Sequence, residues 1–268
     1  MAQLGVNPST ATQPDAKCFI PLESGPPVLT DLMYDLGVST SLALVDVMSI
    51  EDPTLLGVIS RPALALILVL PTSDEYERHR RSTKRMVEVA EDPNAEEVIW
   101  FRQTIDNACG LYAILHAICN FGTKDFIGMS VTRADDFFAL TESHRIEPNS
   151  FLSKLCTCST HDREALLNDS ADLETIYRNA AVRGSTPPPP AEDEVDLHYV
   201  CFLRSPNGSI YEMDGDANGP VKTDIVIKQN EDILEASALE CVKRCIARGH
   251  ADVNFGLLAL VPNLGNLD

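Results

Sequence analysis

Apolar positions along the chain form two kinds of pattern. Residues 63–70 (Ala-Leu-Ala-Leu-Ile-Leu-Val-Leu) form a continuous run between Pro62 and Pro71, which predicts a short strand buried on both faces. Residues 42–47 predict another strand. Residues 197–203 and 209–213 flank Ser-Pro-Asn-Gly and predict a hairpin, and residues 255–261 predict a last strand. Helical spacing appears at 30–37, with Thr30 as cap and Gly37 as stop, and in a strongly apolar run from Cys109 to about Phe121-Gly122. It recurs at 133–142, 148–156, 160–182 (capped by Ser159 or Thr160) and near 230–248. A charged helix over about 74–92 carries Arg78, Arg80, Arg81, Lys84 and Arg85, which read as a solvated face, with a docking or import signal as the alternative. Strands and helices do not alternate strictly, so the pattern predicts one α/β or α+β domain whose sheet is at least partly antiparallel.

Composition narrows the partners. The 268 residues carry a formal charge of −19, which repels phosphate backbones and attracts a basic protein surface, so nucleic acid is not an expected partner. The first 17 residues lack a charged start and an apolar core, so no signal peptide is expected. The apolar run at 63–70 falls far short of the ~18 residues that span a bilayer, so no membrane association is expected either. Eight cysteines are expected as reduced thiols in the cytosol. Their close pairs, Cys156-x-Cys158 and Cys241-x-x-x-Cys245, do not repeat as zinc ligands do, so neither metal nor cofactor is called for. Residues 183–196 contain four consecutive prolines and several acidic residues with no apolar face, which predicts a mobile surface loop.

Cys109 lies where a polar loop turns into the apolar helix, with Asp106 or Asn107 available as cap. Unpaired N–H groups and the helix dipole favour an anion there and raise the thiolate fraction. From that feature alone a thiol that merely packs at a helix start is the stronger reading. A thiol hydrolase also needs an imidazole and a group that orients it. His116 shares the helix two turns on, too far for a hydrogen bond, and reads as core. His79, His144, His161 and His250 lie in polar stretches and read as solvated. His198 opens a predicted strand directly after the loop. The hairpin returns Asp214, sixteen residues on, to the neighbouring strand, within reach of an imidazole N–H. Gln103, in the approach loop, supplies a side-chain amide for a developing oxyanion, with the Cys109 backbone N–H as a second donor.

Residues 103–117 (Gln-Thr-Ile-Asp-Asn-Ala-Cys-Gly-Leu-Tyr-Ala-Ile-Leu-His-Ala), with Asp-Leu-His-Tyr-Val at 196–200 and Tyr-Glu-Met-Asp-Gly at 211–215, resemble the ubiquitin C-terminal hydrolase family of cysteine proteases. The likeness extends from Phe-Ile-Pro-Leu-Glu at 19–23, through 45–47 and 61–68, to 254–260. The resemblance implies Cys109 as nucleophile, His198 as general base and then acid, Asp214 as its orienting partner and Gln103 as oxyanion stabiliser. It implies a central, largely antiparallel sheet flanked by helices, a papain-like site and a knotted backbone.

It further implies an N-terminal tail at 1–17, a catalytic domain at 18–262 whose crossover loop is 183–196, and a C-terminal tail at 263–268. The crossover loop restricts what can be attached to the ubiquitin C-terminus, so small or unfolded adducts are expected. Glu23, Asp46 and Asp252 match positions that contact ubiquitin's basic surface. The expected partner is ubiquitin, with the related modifier NEDD8 as an alternative substrate and ubiquitin buffering as an alternative role. A cytoplasmic or also nuclear monomer is expected. One departure stands out: Phe19 and Ile20 occupy positions where relatives often carry Trp, behind a longer N-terminal tail; a stand-alone enzyme without the long C-terminal extension of some members is expected.

Overall fold

The computed structural model describes residues 17–73, 76, 78, 98–120, 150–191, 196–248 and 254–263. Among these residues, six strands form one sheet in the order β1-β6-β2-β3-β4-β5, with every neighbouring pair antiparallel. They are β1 (Leu42–Asp46), β2 (Ala65–Pro71), β3 (Leu197–Arg204), β4 (Ser209–Met213), β5 (Val221–Val226) and β6 (Gly256–Pro262). The helices, numbered among the described residues, are α1 (Pro26–Asp35), α2 (Pro53–Gly57), α3 (Cys109–Ile118), α4 (Phe151–Thr157), α5 (Thr160–Asp169), α6 (Ala171–Ala181) and α7 (Ala236–Ala247).

β2 shows why its sequence is apolar at every position. It lies between β6 and β3, and its side chains alternate between two cores. Ala65, Ile67 and Val69 face the core shared with α1, α3, α4, α5 and α6, whereas Leu66, Leu68 and Leu70 face the core shared with α7. Each fully buried Leu or Ile contributes about 1.5–3 kcal/mol through burial. The sheet is therefore covered on both sides, and α3 is packed against β2 and β3 in the larger core. The helix is buried on all sides after its first residue, which accounts for an apolar run with no polar face.

Several boundaries differ from the sequence-based expectation. α1 begins at Pro26 and not Thr30: proline supplies the first turn, and Thr30, inside the helix, accepts the Leu44 N–H through its hydroxyl. The helix expected over 160–182 is two helices. Ser170 is extended (φ −78°, ψ 107°), ending α5 and capping α6 by accepting the Leu173 N–H. Ser159 caps α5 in the same way. β5 was not expected, because an edge strand alternating half-buried and exposed residues carries only a short apolar signal. The helices expected at 133–142 and most of 74–92 lie outside the described residues, as do His79, His144, His250 and Asp252.

Candidate active site

Cys109 is the first residue of α3, and the turn that delivers it is unusual. Asn107 has φ 58°, the left-handed region that few residues other than glycine adopt, and asparagine is among the exceptions. Its carbonyl accepts a hydrogen bond from the Tyr177 hydroxyl at 3.2 Å, and its side-chain amide donates to the Ala191 carbonyl at 2.7 Å. The helix N-cap is Ala108, with no side-chain cap. Neither Asp106 nor Asn107 caps α3 as expected, because Asp106 joins a backbone bridge with Cys18 and Asn107 turns outward to Ala191. No capping side chain takes the first-turn N–H groups, so the positive end of the helix is directed at the half-buried Cys109 thiol.

His198 sits at the start of β3 and Asp214 just after β4, so the hairpin brings them together. His198 Nε2 lies 2.9 Å from Asp214 Oδ1, and the two side chains are 7% and 8% exposed. Burial opposes the charged imidazolium. The Asp214 carboxylate, the hydrogen bond with it, a hydrogen bond with Cys109 and the nearby Asp216 outweigh that, and the net effect holds the His198 pKa well above the ordinary histidine value. With Nε2 taken by Asp214, it is Nδ1 that is left for the thiol. Asp214 Oδ1 also accepts the Asp216 N–H at 2.9 Å, which fixes the carboxylate. The Cys109 Sγ lies 4.0 Å from the Leu197 carbonyl, beside His198. A ring contact at 5.9 Å from Tyr76 covers the imidazole.

Gln103 belongs to an extended segment, 98–103, that is not part of the sheet and is held almost entirely by side chains. Asn120 brackets Ile99, accepting its N–H at 2.7 Å and donating to its carbonyl at 2.9 Å. Trp100 Nε1 donates to the Asp214 carbonyl at 2.9 Å, and the buried Arg163 donates to the Trp100 carbonyl at 3.3 Å. The Phe101 N–H donates to His116 Nε2 at 3.0 Å, and the Gln103 N–H to the Gly215 carbonyl at 2.8 Å. A Cβ at Gly215 would lie 3.1 Å from the Gln103 Cβ and 3.4 Å from its nitrogen, so a larger residue there would push this segment back by a few tenths of an ångström. The Gln103 amide donates to the Ile105 carbonyl at 3.2 Å, leaving its second N–H available, while its Oε1 is buried without a partner.

The structure thus brings Cys109, His198, Asp214 and Gln103 to one place. Of the three carboxylates expected at a substrate surface, Asp46 is exposed at the end of β1, whereas Glu23 is bonded to Ser185 and Thr186 of the loop after α6. Sequence reasoning missed Asn107, Trp100, Arg163 and the second duty of His116. His116 is buried as expected, yet it also holds the segment that carries Gln103; nothing in spacing alone separates that duty from ordinary packing. No group of three or more metal-ligating side chains is found among the described residues.

A half-buried thiol at a helix N-terminus, an imidazole beside it, a carboxylate behind the imidazole and an amide across the site define the constellation of a thiol hydrolase. Residues 19–247 match the family model described as ubiquitin carboxyl-terminal hydrolase, family 1. A ubiquitin carboxyl-terminal hydrolase of Drosophila melanogaster is 31% identical over 242 residues, covering 90% of this chain and 96% of that one. The Saccharomyces cerevisiae ubiquitin carboxyl-terminal hydrolase YUH1 is 28% identical, covering 92% and 97%. The fold is similar to that of the Trichinella spiralis UCH37 catalytic domain, solved bound to ubiquitin vinyl methyl ester, with a TM-score of 0.63 at 18% identity, covering 91% of this chain and 95% of that one. The chain belongs to the ubiquitin carboxyl-terminal hydrolase family and is a cysteine-type deubiquitinase.

Proposed function

We propose that the protein hydrolyses the ester, thioester, amide or isopeptide bond that follows the C-terminal glycine of ubiquitin, and that small or unfolded adducts are favoured. The observation that carries the chemistry is the buried His198–Asp214 pair at 2.9 Å beside a thiol at the start of α3. His198 Nδ1 takes the Cys109 proton, and the thiolate attacks the glycine carbonyl. The oxyanion that develops is met by the Gln103 amide and the Cys109 backbone N–H, a type of contact worth about 2.7–4 kcal/mol per donor. Collapse breaks the bond to the leaving group, which departs with the proton from His198. A water, deprotonated by the same ring, then attacks the thioester, releasing ubiquitin with a free carboxylate and restoring the Cys109 thiol. Asp214 holds the ring with Nε2 protonated and stabilises the imidazolium between these transfers.

A net charge of −19 favours encounter with a basic surface on ubiquitin, and Glu23, Asp46 and Asp252 are its proposed contacts. Eight free cysteines support a reducing setting, cytoplasmic or nuclear.

The test is labelling by ubiquitin that carries a thiol-reactive group at its C-terminus. Wild type, Cys119→Ala and Cys201→Ala should be labelled, because burial raises both of those thiols and keeps them protonated, and Cys109→Ala should not. Labelling of Cys109→Ala equal to wild type refutes the assignment.

A further inference from the structure

Residues 98–103 carry Gln103 yet belong to no strand, so their place is set by what ties them down. Two ties run to α3, the helix that begins at Cys109. Asn120, just past the end of that helix, brackets Ile99, and His116 accepts the Phe101 N–H at 3.0 Å. Two more run to the turn after β4. The Trp100 indole N–H donates to the Asp214 carbonyl at 2.9 Å, and the Gln103 N–H donates to the Gly215 carbonyl at 2.8 Å. The carbonyl that takes the indole therefore belongs to the residue whose carboxylate holds His198.

The two sides of the indole contact differ in freedom. Asp214 follows directly on β4, and its carboxylate is held by His198 and by the Asp216 N–H, so its backbone is the fixed side. The segment has no sheet ladder and is the side that can drift. Trp100 is buried, and α5 sets its position from behind. The Arg102 guanidinium, paired with Glu164 at 3.3 Å, lies 5.8 Å from the Trp100 ring centre. Arg163 donates to the Trp100 carbonyl at 3.3 Å and to the Leu155 carbonyl at 3.0 Å. A rigid, buried indole held in this way aims its N–H at one acceptor.

We propose that Trp100 is a positioning residue for the hydrolysis: its indole, through the Asp214 carbonyl, fixes the segment that carries the Gln103 amide against the His198–Asp214 pair. The proposal rests on the ubiquitin-hydrolase reading above. An oxyanion donor acts in the transition state, and losing one outright costs about 10²–10³-fold in kcat. A donor set out of place forfeits part of that and leaves substrate binding alone.

Trp100→Phe keeps an aromatic ring and removes the donor. On ubiquitin aminocoumarin amide its kcat should fall about tenfold, with KM within about twofold of wild type. In a Gln103→Ala background the same change should alter kcat by less than about twofold, because the amide it positions is gone, and a full loss of about tenfold there overturns the proposal. Alkylation of Cys109 by iodoacetamide passes through no oxyanion, so its rate should stay within about twofold of wild type; a fall of about tenfold places the effect on the thiol and imidazole and refutes it. Val242→Ala, in the core shared with α7, controls for lost stability: its kcat should be unchanged, and a loss equal to that of Trp100→Phe also counts against the proposal. Hydrogen exchange reads the segment without catalysis. Protection of the Gln103 amide should fall about tenfold in Trp100→Phe, and unchanged protection sinks the positioning role. A wild type inactive on the aminocoumarin amide overturns the ubiquitin-hydrolase reading, and exchange then still decides whether Trp100 fastens the segment.

Discussion

Replacing Asp214 by Asn removes the charge behind His198 and keeps the shape, including an oxygen for the His198 N–H and the Asp216 N–H. The lost interaction is a charge-assisted hydrogen bond at 2.9 Å between side chains almost wholly removed from water. Such a bond is worth about 1.5–3 kcal/mol, and at 1.36 kcal/mol per pH unit the His198 pKa should fall by about one to two units. The reactive form pairs a thiolate with a protonated imidazole, so loss of the His198 proton sets the alkaline limb of kcat/KM. In wild type that limb should lie well above 6.5, and in Asp214→Asn it should move to lower pH by the same one to two units.

Stability follows with a defined sign. The folded His198 pKa is raised, so the charged ring stabilises the fold fully below about 6.5, and that contribution is lost as pH rises through the folded value. Urea midpoints for wild type should therefore decline across that alkaline window more than those for Asp214→Asn. The assays are a pH–rate profile on ubiquitin aminocoumarin amide and urea unfolding at matched pH. An unmoved alkaline limb in a variant that unfolds cooperatively refutes the assignment of that limb to His198.

His116 gives the opposite slope: burial pushes its pKa down to about 4, so it stays neutral in the fold while the unfolded chain protonates below about 6.5. Stability should fall by about 3 kcal/mol between those values; His116→Gln, which keeps an acceptor for the Phe101 N–H, should flatten that part of the urea-midpoint profile, and an unchanged slope counts against it. At Asn107, alanine should cost about 2–3 kcal/mol, combining left-handed strain with the lost bond to Ala191, whereas glycine should cost only the bond, about 1 kcal/mol. Equal losses of thermal stability in the two variants refute the strain argument.

The elements most legible in the sequence were those whose side chains report their surroundings directly. β2 read as a doubly buried strand because both of its faces meet a core, and the β3–β4 hairpin was announced by Ser-Pro-Asn-Gly. The same hairpin made the pairing of His198 with Asp214 readable from spacing. Position made Cys109 and Gln103 candidates, but at Cys109 plain packing was the stronger reading until the resemblance to the family tipped it. What stayed hidden was held by long-range side-chain bonds with no local signature. The clamp on residues 98–103 joins Asn120, His116, Arg163 and the Asp214–Gly215 backbone. Glu23 read only as a contact for ubiquitin's basic surface, because nothing near it in sequence announces Ser185. Ser170 broke a helix that periodicity carried straight through, since serine suits both a helix interior facing water and a cap.

β6 lies between β1 and β2, and among the described residues β1 has no other bonded neighbour in the sheet. Leu42 finds its partner only when Pro262 arrives. A chain still being synthesised carries Cys109, His198 and Asp214 long before it can join its first strand to the rest of the sheet. Pairings so distant in sequence form slowly and late. The β1 edge therefore closes only after synthesis has passed residue 262, later than the α3, β3 and β4 segments that bring Cys109, His198 and Asp214.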